Sequence, residues 1–320
     1  MKALVYTGVE TLEYRSVADP VAEKGETLVR IDSVGVCGSD MHAFLGHDDR
    51  RPAPLILGHE GAGVTSDGRR VTINPLVTDP KSAASRSGRE NLCPSRQIIS
   101  MPPREGAFAE QVAVPESNLV EIPDHITLEQ AALAEPIAVS WHAVRLGLAA
   151  LHPTDIRCAH VIGGGAIGVA AALSLKAMGA EGVTLSEPNA ARAAYLCDTC
   201  GIDVVEKPEQ SVPLVIDAVG FASTRATACE LVCPGGVILH IGLGSAEGGL
   251  DIRRITLQEI TLIGTYTYTA QDFRDACRAM FEGRLGALDW FETRELSAGF
   301  AAFAELRSGK THAPKIILKP

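Results

Sequence analysis

No segment of this 320-residue chain is long and apolar enough to cross a bilayer. The longest apolar run, Val161 to Leu175, contains four glycines and is followed by Lys176. The opening stretch "MKALVYTGVETLEYRS" has a four-residue apolar run where a secretory signal needs a longer one, so a cytoplasmic protein is expected. A basic stripe is missing as well. Lysine and arginine number 29 against 39 acidic residues, a net charge of −10, and the basic residues are scattered, which argues against nucleic acid as a partner. Nor is there a disulfide framework: eight cysteines at irregular spacing read as free thiols or ligands. Cys197 and Cys200 form a lone C-x-x-C, but "AARAAYLCDTCG" reads as a helix ending at Gly201, so they are neighbours on a helix rather than a redox pair. Internal repeats and low-complexity tracts are also absent. What remains is the composition of a large globular fold, 46% hydrophobic and 21% charged, enough to bury a core in two domains.

The pattern of that composition changes along the chain. The first third holds short alternating stretches broken by Gly, Pro and Asp; in "TLVRIDSV" Val29 and Ile31 alternate with Arg30 and Asp32, the period of a half-buried strand. From about Leu133, helical runs alternate with compact apolar strands ("HVIGGG", "GVTLSE", "PLVIDAVG", "GGVILHIG", "ITLIGT"), which predicts a parallel, doubly wound α/β sheet. A further helix, "AQDFRDACRAMFEGRL", precedes the strand-like "APKIILKP".

Within the second part, Gly163, Gly165 and Gly168 have G-x-G-x-x-G spacing after an apolar strand and at the start of a helix. Gly163 would make the tight turn, Gly165 would let backbone approach a pyrophosphate, and Gly168 would let helix and strand pack closely. The helix start, Ala166 and Ile167, supplies unpaired N–H groups to the phosphates. About 20 residues beyond the last glycine stands Glu187, placed to accept hydrogen bonds from the adenosine ribose hydroxyls and to oppose a 2′-phosphate. NAD is the expected cofactor, with Arg192 as the residue able to approach a phosphate nearby.

Upstream lie "GVCGSDMHAFLG" and "PLILGHEGAG". Cys37, His59 and Glu60 offer a thiolate, an imidazole and a carboxylate, all acceptable zinc ligands. With a dinucleotide fold downstream, these two motifs resemble the zinc-dependent medium-chain alcohol dehydrogenase family over nearly the whole chain. The resemblance implies a GroES-like, β-rich catalytic domain over residues 1–137, completed by 268–320, and a Rossmann NAD-binding domain over 138–267. It also implies roles. Cys37 and His59 would bind zinc, Asp40 would fix the tautomer of His59, and Glu60 would be a third, exchangeable ligand. Ser39 would take the proton of the substrate hydroxyl and His42 would pass it to water. Gly38 stands where the ethanol-type enzymes carry a basic residue, and Glu135, in "LAEPIAVSWHA", stands where they carry a further cysteine ligand, so it would itself approach the metal as a fourth candidate ligand and, with Glu60, take part in catalysis. Both departures match the polyol, sorbitol-like and threonine dehydrogenase branch. Phe44, Leu45 and Phe108 are candidates for the pocket wall and equally for the core.

Relatives by resemblance often hold a second, structural zinc on four cysteines. In "TDPKSAASRSGRENLC" the corresponding positions are Asp79, Ser82, Ser85 and Cys93, one thiol where four are wanted. One catalytic zinc per subunit and no structural zinc are expected. The resulting expectation is an NAD-dependent polyol or secondary-alcohol dehydrogenase acting on a small molecule, as a homodimer or homotetramer associating through "GGVILHIG", without nucleic acid or membrane. The alternatives are a zinc-free NADPH quinone or enone reductase of the same superfamily and a non-catalytic NAD-binding protein.

Overall fold

The structure, a computed structural model, describes residues 1–152 and 158–320. The chain packs as two compact units, one of Met1–Glu135 with Phe291–Pro320 and one of Pro136–Trp290.

The first unit is β-rich. Its main sheet runs, in order, Leu119–Glu121, Arg70–Ile73, Glu60–Thr65, Glu26–Gly35, Lys315–Lys319 and Phe291–Glu295, with Gln111–Pro115 also pairing to Glu26–Gly35. The pairs are antiparallel except that Phe291–Glu295 runs parallel to Lys315–Lys319. As the alternation predicts, Val29 and Ile31 are buried while Arg30 faces solvent. Phe44 and Phe108 both close on Phe303, with ring centroids 5.2 and 6.1 Å apart, and Leu45 packs against the same cluster, so all three belong to the core. Two registers place the chemistry: Gly35 pairs with Ile317 on one side and with Glu60 on the other. A Cβ at Gly35 would lie 2.0 Å from a Glu60 carboxylate oxygen, so only glycine leaves room for that side chain.

The second unit is a six-stranded parallel sheet in the order Asp203–Val204, Gly182–Ser186, Cys158–Ile162, Val212–Asp217, Val232–His240, Thr261–Gly264. Numbered along the chain this is 3-2-1-4-5-6, the dinucleotide-binding order. His160 sits inside the sheet because Thr184 and Ser186 hydroxyls lie 2.8 and 3.2 Å from its ring nitrogens, and burial pushes its pKa down to about 4, which keeps it neutral. The chain returns to the first unit at Phe291, not at residue 268. Helix Ala270–Phe281 buries Phe273, Ala276, Cys277 and Met280, an i, i+3, i+4, i+7 stripe, within the second unit. Asp272 anchors it to helix Ala134–Ala150 through His142 Nδ1 (2.7 Å) and Arg145 Nε (2.6 Å). "GGVILHIG" is an interior strand. The edge strands are Asp203–Val204 at one end and Thr261–Gly264 at the other, where Leu262 is exposed.

Candidate metal and dinucleotide sites

Cys37 follows strand Glu26–Gly35 and caps helix Gly38–Phe44 in extended backbone, its N–H donating to Asp40 at 3.0 Å. His59 precedes and Glu60 opens strand Glu60–Thr65, both directly after Gly58, whose φ of +88° and whose Cβ position, 2.4 Å from the Phe108 ring, both require glycine. One ligand atom each from Cys37, His59 and Glu60 lies within 4.8 Å of the others, the sole such group among the described residues. One thiolate, one imidazole and one carboxylate suit zinc and leave a coordination position open, as a catalytic site needs.

The surroundings orient these donors. His59 Nδ1 lies 3.2 Å from the Ser100 hydroxyl and 3.5 Å from Asp40 Oδ1, while Nε2 turns toward the Ser39 hydroxyl at 3.5 Å. Asp40 is fully buried, and burial alone would raise its pKa, but the charge of His59 and its other partners hold it below the usual range. Burial by itself would lower the pKa of His59, and neighbouring Asp40 and Cys37 more than offset that and hold it above the usual imidazole range, so a proton and a metal compete for the ring. Ser39 and His42 are three residues apart on one helix, hence on one face, and both are half-buried.

Three partners were not apparent in the sequence. Ser100 has φ +78°, unusual for a serine, is fully buried, and its carbonyl accepts from buried Arg51 at 3.1 Å. Arg51 is itself paired with Asp48 at 2.5 Å, so a chain of contacts runs from Asp48 to His59. Lys315 donates to both Glu60 oxygens at 2.7 and 2.6 Å and to the Val36 carbonyl at 3.0 Å. Burial lowers the pKa of Lys315, yet Glu60, Cys37 and Glu135 outweigh burial and raise it, so it is a buried cation. Its only signal in the sequence was a lysine in a strand otherwise built from core residues. Glu135, buried in the first turn of helix Ala134–Ala150, is not one of the three gathered donors; it acts on Lys315 through its charge.

The "TDPKSAASRSGRENLC" loop is folded by hydroxyls. Ser82 caps helix Ala83–Arg86, accepting from the Ser85 N–H at 3.1 Å and donating to the Ser85 hydroxyl at 2.9 Å. Ser85 in turn donates to the Asp79 carbonyl at 2.6 Å, and buried Cys93 lies 3.4 Å from the Ser95 hydroxyl.

In the second unit, Gly163 turns with φ +101°, and its Cβ would strike Val219 at 2.4 Å; a Cβ at Gly168 would fall 1.8 Å from the Gly163 carbonyl. Gly165, which begins helix Ala166–Ala177, faces open space, so the N–H groups of Ala166 and Ile167 are approachable. Glu187 is already aimed: Oε2 accepts from Gly164 N at 2.9 Å and Oε1 from Asn189 N at 2.8 Å, leaving lone pairs on each oxygen. Asn189 caps helix Ala190–Cys200, whose first turn carries Arg192. This arrangement fits an adenosine ribose and pyrophosphate.

Residues 23–124 match the family described as Alcohol dehydrogenase GroES-like domain, and residues 166–282 that described as Zinc-binding dehydrogenase. The chain is 29% identical over 310 residues to the L-galactonate-5-dehydrogenase of Escherichia coli, covering 90% of this chain and 89% of that protein. It is 28% identical over 309 residues to the D-xylulose reductase of Scheffersomyces stipitis, covering 86% and 84%. Among solved structures, a thermostable alcohol dehydrogenase from Pyrobaculum aerophilum superposes with a TM-score of 0.88 at 25% identity, over 100% of this chain and 99% of that one.

Proposed function

The chain belongs to the zinc-dependent medium-chain alcohol dehydrogenase family, and from that premise we propose that it oxidises a secondary alcohol, a polyol or related sugar derivative, to the ketone with hydride transfer to NAD. The observation that carries this reading is the meeting of Cys37, His59 and Glu60 beside the Ser39 hydroxyl. The relatives named for galactonate and xylulose support a polyhydroxylated substrate. Cys37 and His59 would hold zinc, with Glu60 as a third ligand and Glu135 as a nearby charge on the site. Bound there, zinc supplies Lewis-acid polarisation of the alcohol oxygen. Ser39 would take the hydroxyl proton as it releases its own toward the His42 side of the helix, and His42 would pass a proton on to solvent. Gly163, Gly165, Ala166, Ile167 and Gly168 cradle the pyrophosphate, Glu187 holds the ribose and Arg192 lies alongside.

A screen of stereoisomeric polyols, sugar acids, amino alcohols and simple secondary alcohols with NAD tests the reading, and NAD reduction is expected with at least one polyol. Zinc-independent, NADPH-driven reduction of quinones with no alcohol oxidation would assign the chain to the zinc-free reductases, and binding without any turnover would make it a sensor. We propose one zinc per chain, since Asp79, Ser82 and Ser85 supply no thiolate. Elemental analysis giving two equivalents would overturn that count.

Cofactor choice follows from Glu187. A 2′-phosphate beside its carboxylate meets like charge at a cost of about 3 kcal/mol, so NAD is expected over NADP by about a hundredfold in kcat/KM. Glu187→Ala should shrink that ratio most of the way to parity; equal efficiency of the two cofactors in the wild type would refute the assignment.

The open edge strand Thr261–Gly264 carries exposed Leu262, and unpaired apolar edges invite pairing. We propose a homodimer or homotetramer formed through this edge. Light scattering should give at least twice the 33.8 kDa chain mass, with Leu262→Lys shifting it toward monomer; a wild-type monomer at micromolar concentration would contradict this.

A further inference from the structure

We propose that Arg225 is a positioning residue for the nicotinamide half of the cofactor, an inference that rests on the NAD-dependent reading above. Arg225 is buried on helix Ala222–Leu231, yet none of its hydrogen-bond acceptors is a carboxylate. Nε donates to the Gly248 carbonyl at 2.6 Å, one terminal nitrogen to the Gly220 and Ser245 carbonyls at 2.9 and 3.0 Å, and the other to the Ser245 hydroxyl at 3.1 Å and to the Glu247 carbonyl. Four of these five bonds reach one loop, which is exposed at Ser245–Gly248.

That loop follows strand Val232–His240, and the turn holding Gly220 follows strand Val212–Asp217. Both therefore stand at the carboxyl ends of the sheet, where dinucleotides lie. Glu187 and the glycine turn occupy the adenosine side of the 3-2-1-4-5-6 order, which leaves these two loops under the nicotinamide side.

The two loops are locked together. Gly244 N and Ser245 N donate to the Val219 and Gly220 carbonyls at 3.1 and 2.8 Å, and a Cβ on Gly220 would fall 2.1 Å from the Gly242 carbonyl. Asp217 closes the assembly from below, accepting from Val219 N, Gly220 N and the Thr224 hydroxyl. On top, Phe221 and Leu243 are 49% and 74% exposed, apolar side chains held out over a rigid polar base. A surface loop of Gly-Leu-Gly-Ser-Ala-Glu-Gly-Gly would otherwise sample many conformations, and ordering it at the moment of binding would weaken affinity. The buried guanidinium fork fixes it beforehand.

Calorimetry on the full-length protein, with NADH and with ADP-ribose, tests this, because ADP-ribose lacks the nicotinamide. Arg225→Met should raise the Kd for NADH by about tenfold or more while that for ADP-ribose changes by less than about threefold. Arg225→Lys, which keeps the charge and loses the fork, should give a smaller shift with the same selectivity, and the mild Ser245→Ala a shift of about twofold to threefold in NADH alone. The Ser245→Ala measurement keeps the test alive should both arginine variants misfold. Equal weakening of the two ligands, or no weakening of either, would overturn the proposal and leave Arg225 a structural anchor. A wild type that binds neither ligand would instead refute the NAD-dependent reading.

Discussion

Cys37→Ser and His59→Ala are each expected to purify as folded protein with less than one-tenth of the wild-type zinc and to lose turnover by about a thousandfold or more. The size follows from the donor set: with three gathered ligands, losing one leaves two, too few to offset the dehydration of the ion, and a serine hydroxyl does not ionise at neutral pH to replace the thiolate. Losing the Lewis acid removes several kcal/mol of transition-state stabilisation, and about 4 kcal/mol is a thousandfold in rate. The fold should survive, because Cys37 is a half-buried cap and His59 follows a turn that Gly58 and Phe108 fix without it. Asp40→Asn should act more gently, lowering zinc affinity by about tenfold to a hundredfold through a misaligned imidazole. Elemental analysis, circular dichroism and NAD reduction read the three outcomes. Full activity in zinc-free Cys37→Ser protein would sink the metal assignment and favour the zinc-free reductases.

What could be read from the sequence was whatever depends on local spacing. The glycine turn, its helix and Glu187 lie within one strand–helix–strand unit, so a periodic pattern and three glycines were enough to assign them. Cys37, Asp40, His59 and Glu60 were legible because two short motifs carry them. Lys315 was not, because it meets Glu60 only through the pairing of strands from opposite ends of the chain, and a single sequence does not reveal register between such distant strands. Ser100 and Arg51 were hidden for a similar reason: the Ser100 hydroxyl meets His59 from a distant part of the chain, and Arg51 acts through the Ser100 carbonyl, with no motif marking either. The edge strand was misplaced because an interior and an edge strand of a parallel sheet can share one apolar pattern, and only the strand order shows that Val232–His240 is covered on both sides.

Lys315→Met should have opposite consequences with and without metal. Glu60 and Lys315 are 1% and 3% exposed, and both carboxylate oxygens accept from the ammonium, so removing the cation strands a buried carboxylate. Breaking a buried pair from one side costs about 3 to 5 kcal/mol, which in chelator-treated protein should appear as a large drop in the denaturation midpoint. Glu60 is also one of the three gathered donors, however, so zinc offers the freed carboxylate a second partner. Zinc-loaded Lys315→Met is therefore expected to recover most of the lost stability and to hold its metal more tightly than wild type, since a cation that repelled the ion and competed for Glu60 is gone. The double variant Lys315→Met with Glu60→Gln removes both charges, and without zinc it should regain much of the stability that the single variant lost. Metal-free Lys315→Met as stable as wild type would show that the buried pair contributes nothing, and failure of zinc to rescue the variant would remove Glu60 from the ligand set.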